Sequence, residues 1–366
     1  MTEKKRVLAA MSGGVDSSVT AALLLEQGYE VIGVTMRLSE ESREADDDKG
    51  CCSIKSVNDA QHVASILGIP HYVLDFRKQF EKHVICNFLD EYAKGRTPNP
   101  CIECNRAMKF GALMQKAREL GADFVATGHY ARITYNEEKG LYELKKGLDE
   151  KKDQSYVLYH LNQETLAHFL LPLGGFTKPE VREMAEKYKL PVAHKAESQE
   201  ICFIPDDDHG RFLREHRPEA LIPGDIVDME GHVLGHHLGV PLYTIGQRKG
   251  LGIAAPEPLY VVRLDTEHNR VIVGGAQDVF FGGLTAGNVS WTIPAPTEPL
   301  RCTAKVRYGR REGACTAEIT ADGALHVVFD EPQRAVTPGQ SVVLYDGECV
   351  LGGGIIESAE PVKNET

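Results

Sequence analysis

The sequence predicts an α/β protein, with a parallel sheet flanked by helices first, then a small β-rich middle domain and a C-terminal β-barrel. Three observations carry this. Over the first 130 residues, short β-rich runs alternate with helical patterns, the signature of strands joined by crossover helices. Those strands are nearly continuously apolar, as strands buried on both faces are. From about residue 282 the chain is almost all β by pattern, in alternating runs split by turn residues, and a closed barrel holds such runs without a free sheet edge. The expected division is therefore 1–205, 206–281 and 282–366.

In chain order, residues 7–11, 31–36, 71–76 and 123–127 are the strands of the sheet. Helical patterns cover 17–27, stopped by Gly28, and 59–67, 80–94 and 105–120. Ligands of such sheets bind at the carboxyl ends of the strands. "ARITYNEEKGLYELKKG" alternates around an Asn-Glu-Glu-Lys-Gly turn and reads as a hairpin insertion. "TKPEVREMAEKYKL" reads as a helix with Thr177 at its N-cap and Glu180 three residues on. Past Phe203 the chain becomes glycine-rich, with short alternating runs such as "DIVDMEGHVLG".

The totals bound the function. At 366 residues the chain suits two or three domains, each able to bury a core. No run of about 18 apolar residues exists, and "MTEKKRVLAA" lacks the features of a signal peptide, so a cytoplasmic protein without membrane attachment is expected. Nine cysteines without framework spacing read as reduced thiols, some of them reactive. The formal net charge of −12 argues weakly against nucleic acid, but "SEESREADDDKG" and "IPDDDHG" hold much of it as solvated loops, and local basic clusters still serve.

In "VLAAMSGGVDSSVTAALL", Gly13 and Gly14 follow a strand and precede a helix, so backbone amides and the helix N-terminus can surround an anion. Ser12, Ser17 and Ser18 add hydroxyl donors, and Asp16 beside a triphosphate makes sense as a magnesium ligand. The loop has no lysine, unlike the phosphate loop that steadies a phosphoryl group in transit, and is expected to be a cradle of amides and hydroxyls without any cationic side chain. "SGGVDSS" resembles the pyrophosphate-binding loop of the N-type ATP pyrophosphatases, which split ATP between the α and β phosphates. The resemblance implies that the loop holds the departing pyrophosphate while an acceptor oxygen attacks the α phosphorus.

"GRTPNPCIECNRAMKFG" places Cys101 and Cys104 after two stiffening prolines and at the start of a helix led by Asn105. A thiol there, with Arg106 and Lys109 close by, is expected to ionise readily and act as a nucleophile. A closed four-cysteine zinc site needs a second C-x-x-C, and the chain has none. Cys202, in "AESQEICFIPDDDHGRF", is the third candidate; Cys51, Cys52, Cys86, Cys302, Cys315 and Cys349 are left structural or unassigned.

Taken together, "MSGGVDSSV", "RTPNPCIECN", "ATGHYAR", "KDQSYVLY", "ICFIP", "YTIGQRKGLGI", "VRYG", "VTPGQ" and "CVLGGGII" make the chain resemble the tRNA-specific 2-thiouridylases over essentially its whole length. The resemblance implies that ATP adenylates O2 of the wobble uridine at position 34 of tRNA and that a persulfide sulfur then displaces AMP. It assigns Ala10, Met11, Ser12, Gly13, Gly14, Val15, Asp16 and Ser17 to ATP, with Met36 and Gly128 beside the adenosine. Asn99, Pro100 and Cys101 face the target base, Cys104 is the attacking cysteine and Cys202 carries the persulfide. Lys152, Asp153, Gln154, Arg307 and Tyr308 match tRNA contacts, with His129 and Gln340 as weaker transfers.

Some members of the family carry an aspartate where this chain has Cys101. Three thiolates, Cys101, Cys104 and Cys202, are a set that holds a [4Fe–4S] cluster with one iron open to sulfide. Sulfur delivery by a persulfide relay or by a cluster both remain open, as does which of Cys101 and Cys104 attacks. The expected partners are tRNA and an upstream sulfur donor, a cysteine desulfurase or sulfur-relay protein, acting on a monomer. Two rivals are an ATP pyrophosphatase that ligates a small molecule, which leaves the cysteines idle, and a non-catalytic RNA-binding module that senses ATP, which needs no thiol.

Overall fold

In a computed structural model the structure describes residues 4–39, 54–196 and 201–362. Most of the acidic stretch around residues 39–50, together with Cys51 and Cys52, lies outside these. The chain forms two compact units. One holds residues up to Ile85, Cys101–Asp207 and Glu348–Val350; the other holds Cys86–Pro100, Asp208–Gly347 and the chain from Leu351 on.

The first unit begins β1 (Arg6–Ala10), α1 (Val15–Glu26), β2 (Glu30–Arg37), α2 (Ile54–Leu67) and β3 (His71–Asp75). The chain then winds through α3 (Arg77–Phe80), a π-helical turn at Glu81–Ile85 and α4 (Cys86–Ala93), which belongs to the second unit; together they come close to the single helix expected over 80–94. Next come α5 (Pro100–Cys104), a second π-helical stretch at Asn105–Ala112, α6 (Leu113–Glu119) and β4 (Phe124–Ala126). The hairpin β5 (Ala131–Asn136) and β6 (Leu141–Lys146) pairs in register from Ala131↔Lys146 to Asn136↔Leu141, as the alternation predicts. After α7 (Gln163–Ala167), β7 (Phe169–Leu170) adds an edge strand too short to leave a periodic signal, and α8 (Lys178–Lys187) follows.

The sheet runs β3-β2-β1-β4-β7 with every pair parallel. The central strand β1 is apolar because nothing else fits there: Val7, Leu8 and Ala9 are all fully buried. Helix α1 is apolar nearly all round for the same reason, with its residues from Ser17 to Leu24 buried. From β1 the chain builds outward to β2 and β3, then returns to add β4 on the other side. The loops after β1 and β4 therefore leave the sheet at its switch point, where open α/β sheets bind ligands.

The second unit carries α9 (His209–His216) and a sheet of β8 (Gly224–Val227), β9 (Val233–His237), β10 (Tyr260–Asp265) and β11 (Arg270–Gly274) in the order β10-β11-β8-β9. Ile226, Val261, Val271 and Val273 centre its core. The last six strands are β12 (Phe280–Trp291), β13 (Leu300–Lys305), β14 (Gly313–Ile319), β15 (Leu325–Arg334), β16 (Ser341–Asp346) and β17 (Cys349–Pro361). They run β12-β15-β14-β13-β16-β17, and β12 pairs again with β17, so the barrel closes and leaves no edge. Leu284, Val327, Val342, Leu344 and Ile356 fill it.

Candidate active site

The loop between β1 and α1 is held from three sides. Met11 continues the ladder, its N–H donating to Val34 O at 2.8 Å. Gly13 has φ +71°, and a Cβ there would lie 2.1 Å from the Ser56 carbonyl oxygen, so only glycine fits. Gly14 is different: its φ of −97° is ordinary, and a Cβ would sit 3.5 Å from Ser12 Oγ. Ser17 Oγ accepts from Ser12 N–H at 3.1 Å, and Ser18 Oγ donates to Gly14 O at 2.8 Å. The hydroxyls of Ser17 and Ser18, expected to face an anion, instead brace the loop from within. Gly128, just after β4, packs against α1, where a Cβ would come within 3.0 Å of the Asp16 and Ser17 backbone. Met36 lies near the carboxyl end of β2, half-buried.

The expectation of a cradle without cations is corrected by two lysines far away in sequence. Lys178 Nζ, 7% exposed as a residue, donates to both Asp16 oxygens at 2.7 and 2.9 Å. Tyr130 OH adds a third bond to Asp16 at 2.7 Å. Lys195 Nζ donates to Gly13 O at 3.1 Å and to Asp59 Oδ2 at 2.6 Å. Helix α8 presents Lys178 through the expected capping arrangement, the Thr177 N–H and Oγ1–H both donating to Glu180 Oε2 at 2.7 Å. These bonds hold the Glu180 carboxyl below its usual range.

Asp16, expected to bind magnesium, is engaged by an ammonium in this structure. Magnesium at nucleotide sites is bound through one or two carboxylates together with substrate phosphates, in near-octahedral geometry. Asp16 is one carboxylate, and an ammonium already bonds both of its oxygens. Among the described residues, a group of three or more His, Cys, Asp or Glu with ligand atoms within 4.8 Å of one another occurs at Asp228, Glu230 and His232, in an exposed turn of the second unit. No residue of the loop belongs to it.

Cys101 and Cys104 lie three apart on α5, hence on one helix face. Cys101 is exposed; Cys104 and Cys202 are half-buried. The helix starts at Pro100 rather than Asn105, which puts Cys101 in the first turn and Cys104 at the junction with the π-helical stretch. Asn105, instead of leading the helix, is buried and donates from Nδ2 to Val157 O at 2.9 Å. The two cations expected beside the thiols have other partners: Arg106 bonds Glu103 at 2.6 Å, and Lys109 Nζ lies 3.3 Å from His129 Nε2. Phe203, next to Cys202, meets Phe80 edge-on at 5.8 Å, and α3, which carries Phe80, packs on the π-helical stretch after Cys104. All three thiols thus belong to the first unit.

His129 is buried, with Nδ1 2.6 Å from Thr127 Oγ1. Burial, then the charges of Lys109 and His160, hold its pKa well below the usual imidazole range. His160 is pushed down to about 3, by burial and then Arg106, and neither ring nitrogen has a partner. Asp153 accepts from the N–H groups of Gly147 and Ser155 at 3.1 and 3.0 Å, and Gln154 Oε1 accepts from Tyr130 N–H at 3.0 Å. These two therefore order the turn beneath Tyr130, with half-buried Lys152 beside them. In the second unit, Asn99 precedes α5, Pro100 is buried, Arg307 and exposed Tyr308 follow β13, and buried Gln340 donates to Thr97 O at 2.8 Å. Sequence reasoning missed Lys178, Lys195, Tyr130 and His160 as parts of the site; "TKPEVREM" signalled a helix start and nothing more.

A glycine-tight loop at the switch point of a parallel sheet, with thiols in the same unit and a closed barrel in the other, defines a nucleotide-type α/β domain joined to β domains. Family models match accordingly: a tRNA methyl transferase HUP domain over residues 5–206, a tRNA methyl transferase PRC-barrel domain over 210–275 and an aminomethyltransferase beta-barrel domain over 281–356. The tRNA-specific 2-thiouridylase MnmA of Symbiobacterium thermophilum is 55% identical over 361 residues, 97% of this chain and 93% of that protein. The protein of the same name from Carboxydothermus hydrogenoformans is 55% identical over 358 residues, covering 97% and 98%. The chain belongs to the tRNA-specific 2-thiouridylase family. Among solved structures, a 4-thiouridine synthetase bound to RNA and ATP overlaps 59% of this chain and 51% of its own, at 18% identity and a TM-score of 0.36.

Proposed function

We propose that this protein uses ATP to turn O2 of the uridine at position 34 of tRNA into an adenylate and then replaces that oxygen with sulfur, giving 2-thiouridine. The observation that carries the proposal is a loop suited to pyrophosphate in the same unit as three thiols, in a chain 55% identical to thiouridylases over 97% of its length. The methyl-transfer wording of the family models would leave those thiols without a role. Uridine O2 is a poor leaving group until it carries AMP. O2 attacks the α phosphorus of ATP and pyrophosphate leaves into the loop of Ser12, Gly13 and Gly14, with Met36 and Gly128 at the adenosine. The terminal sulfur of a Cys202 persulfide then bonds C2 and AMP departs. The Cys104 thiolate attacks the inner sulfur, releasing 2-thiouridine and leaving a Cys104–Cys202 disulfide, which two thiols of a reductant restore to the two free cysteines while becoming a disulfide themselves.

In this reading Asn99, Pro100 and Cys101 face the base, and Lys152, Arg307, Tyr308 and Gln340 contact tRNA. Arginine beside an aromatic ring is how unstacked bases are gripped. His129 acts as a neutral lining group. The reading takes the protein to act on tRNA as a cytoplasmic monomer; among the described residues no helix is long and apolar enough to cross a membrane. Reconstitution with a tRNA transcript, ATP and a persulfide donor tests the proposal. Products should be AMP and pyrophosphate without ADP, and Cys104→Ser should still adenylate tRNA and release AMP but stall as a tRNA–Cys202 disulfide adduct, with no free 2-thiouridine by mass spectrometry. Full thiolation by that variant overturns the assignment of Cys104, and AMP recovered on a small acceptor instead of RNA favours ligation chemistry.

A second reading of the sulfur step rests on Cys101, an exposed third thiol one helical turn from Cys104. Cys101, Cys104 and Cys202 are soft ligands suited to a [4Fe–4S] cluster, which when bound offers an open iron to sulfide. Full activity of a colourless, iron-free protein prepared anaerobically would exclude it.

A further inference from the structure

Lys178 is the first residue of α8, and its ammonium is almost fully buried against the first turn of α1. A buried ammonium persists only when paired. Its pairing is specific: both Asp16 oxygens at 2.7 and 2.9 Å, with the Tyr130 ring 5.8 Å away and Tyr130 OH on the same carboxylate. The Lys178 backbone N–H is tied separately, to Asp149 Oδ2 at 3.0 Å, so the side chain is aimed by a fixed stem. Asp16 in turn is pinned from behind by Gly128, which leaves no room between itself and the Asp16 backbone. The cation therefore sits against the first turn of α1, next to the loop that is read as meeting a polyphosphate's charge.

We propose that Lys178 is the fixed positive charge of this nucleotide site, contacting the β,γ-pyrophosphate of a bound nucleoside triphosphate, and that Asp16 is the residue that positions it rather than a ligand for magnesium. A divalent ion on the Asp16 oxygens would stand where the ammonium already stands. Magnesium arrives instead on the phosphates' own oxygens. A carboxylate so close to a polyphosphate is tolerable because Lys178 neutralises it, and Lys195, paired with Asp59 and bonded to Gly13 O, does the same for the other wall of the loop. The inference rests on the reading of the loop as an ATP site.

The test uses the full-length chain and radiolabelled ATP in equilibrium dialysis with EDTA, followed by magnesium titration of pyrophosphate release with tRNA present. Lys178→Met should weaken metal-free ATP binding at least tenfold, and Lys178→Arg should recover most of it. Asp16→Asn should slow pyrophosphate release while leaving the magnesium concentration at half-maximal rate within twofold. Asp16→Asn/Lys178→Met should bind metal-free ATP no worse than Lys178→Met alone. Wild-type-like ATP binding by Lys178→Met, or a tenfold higher magnesium requirement in Asp16→Asn, overturns the proposal. Should Lys178→Met not fold, the arginine variant and the Asp16→Asn titration decide it by the same criteria. Failure of the wild-type chain to bind ATP would instead overturn the ATP reading itself.

Discussion

The two glycines of the loop look equivalent in sequence, and the structure makes them unequal in a way that is directly measurable. At Gly13 the backbone sits at φ +71°, which costs an L-residue about 1–2 kcal/mol. A methyl group there would also lie 2.1 Å from Ser56 O and 2.8 Å from Ser56 C, atoms of a helix backbone that cannot rotate away. Relief requires the loop or the start of α2 to move by an ångström or more, and forced overpacking of this kind costs about 1–3 kcal/mol. Gly13→Ala should therefore destabilise by about 2–5 kcal/mol in all. Gly14→Ala meets nothing closer than Ser12 Oγ at 3.5 Å and has an ordinary φ, so its effect should lie within about 1 kcal/mol of zero. Urea unfolding followed by circular dichroism suits the measurement, since the single tryptophan, Trp291, sits in the barrel and reports on the other unit. ATP affinity should fall at least tenfold in Gly13→Ala, because the displaced strand-to-helix turn no longer aims its amides. Equal shifts in the two variants would refute the reasoning.

Two further outcomes follow from the same structure. His160 is held neutral in the folded chain, with its pKa near 3 against an ordinary 6.5. As pH falls below 6.5 the unfolded ring takes up a proton that the folded ring refuses, so stability declines by up to about 1.4 kcal/mol per pH unit until the folded value is reached. His160→Leu loses no ring hydrogen bond at pH 7 and should soften that decline; identical urea midpoints for both proteins at pH 7 and pH 5 would show that the ring is not the cause. Alkylation of the native protein with iodoacetamide should modify exposed Cys101 first and buried Cys302 and Cys315 only on unfolding, as peptide mass mapping would reveal. Early labelling of Cys302 or Cys315 would contradict the closed barrel core.

What the sequence exposes and what it hides divide along physical lines. The parallel strands were legible because a strand covered on both faces must be apolar throughout, as Val7, Leu8 and Ala9 are. The start of α8 was legible because Thr177 and Glu180 form a local, three-residue contact. The barrel was legible from its alternation and turns. The helical start at Pro100 was not, because proline reads as a stiff connector, yet at the first helical position its missing N–H costs nothing. The π-helical stretch Asn105–Ala112 leaves no periodic trace that separates it from α-helix, and β7, two residues long, leaves none at all. The inward turn of the Ser17 and Ser18 hydroxyls depends on the loop's own carbonyls, which no residue pattern records.

The charge balance of the loop is the deepest of these hidden features, and it bears on how the site is assembled. A phosphate loop with its own lysine carries its cation in the same few residues as its amides. Here the cations lie 162 and 182 residues beyond the groups they meet, Lys178 on Asp16 and Lys195 on Gly13. Between loop and cations the chain must complete β2 to β4, the thiol-bearing helix and the hairpin of β5 and β6. The loop's geometry is therefore local, while its electrostatics belong to the whole first unit. An isolated β1–α1 segment would present Asp16 unpaired to an incoming polyphosphate and repel it. Only the folded unit, in which Tyr130 and Lys178 close over that carboxylate, offsets its charge before a polyphosphate arrives.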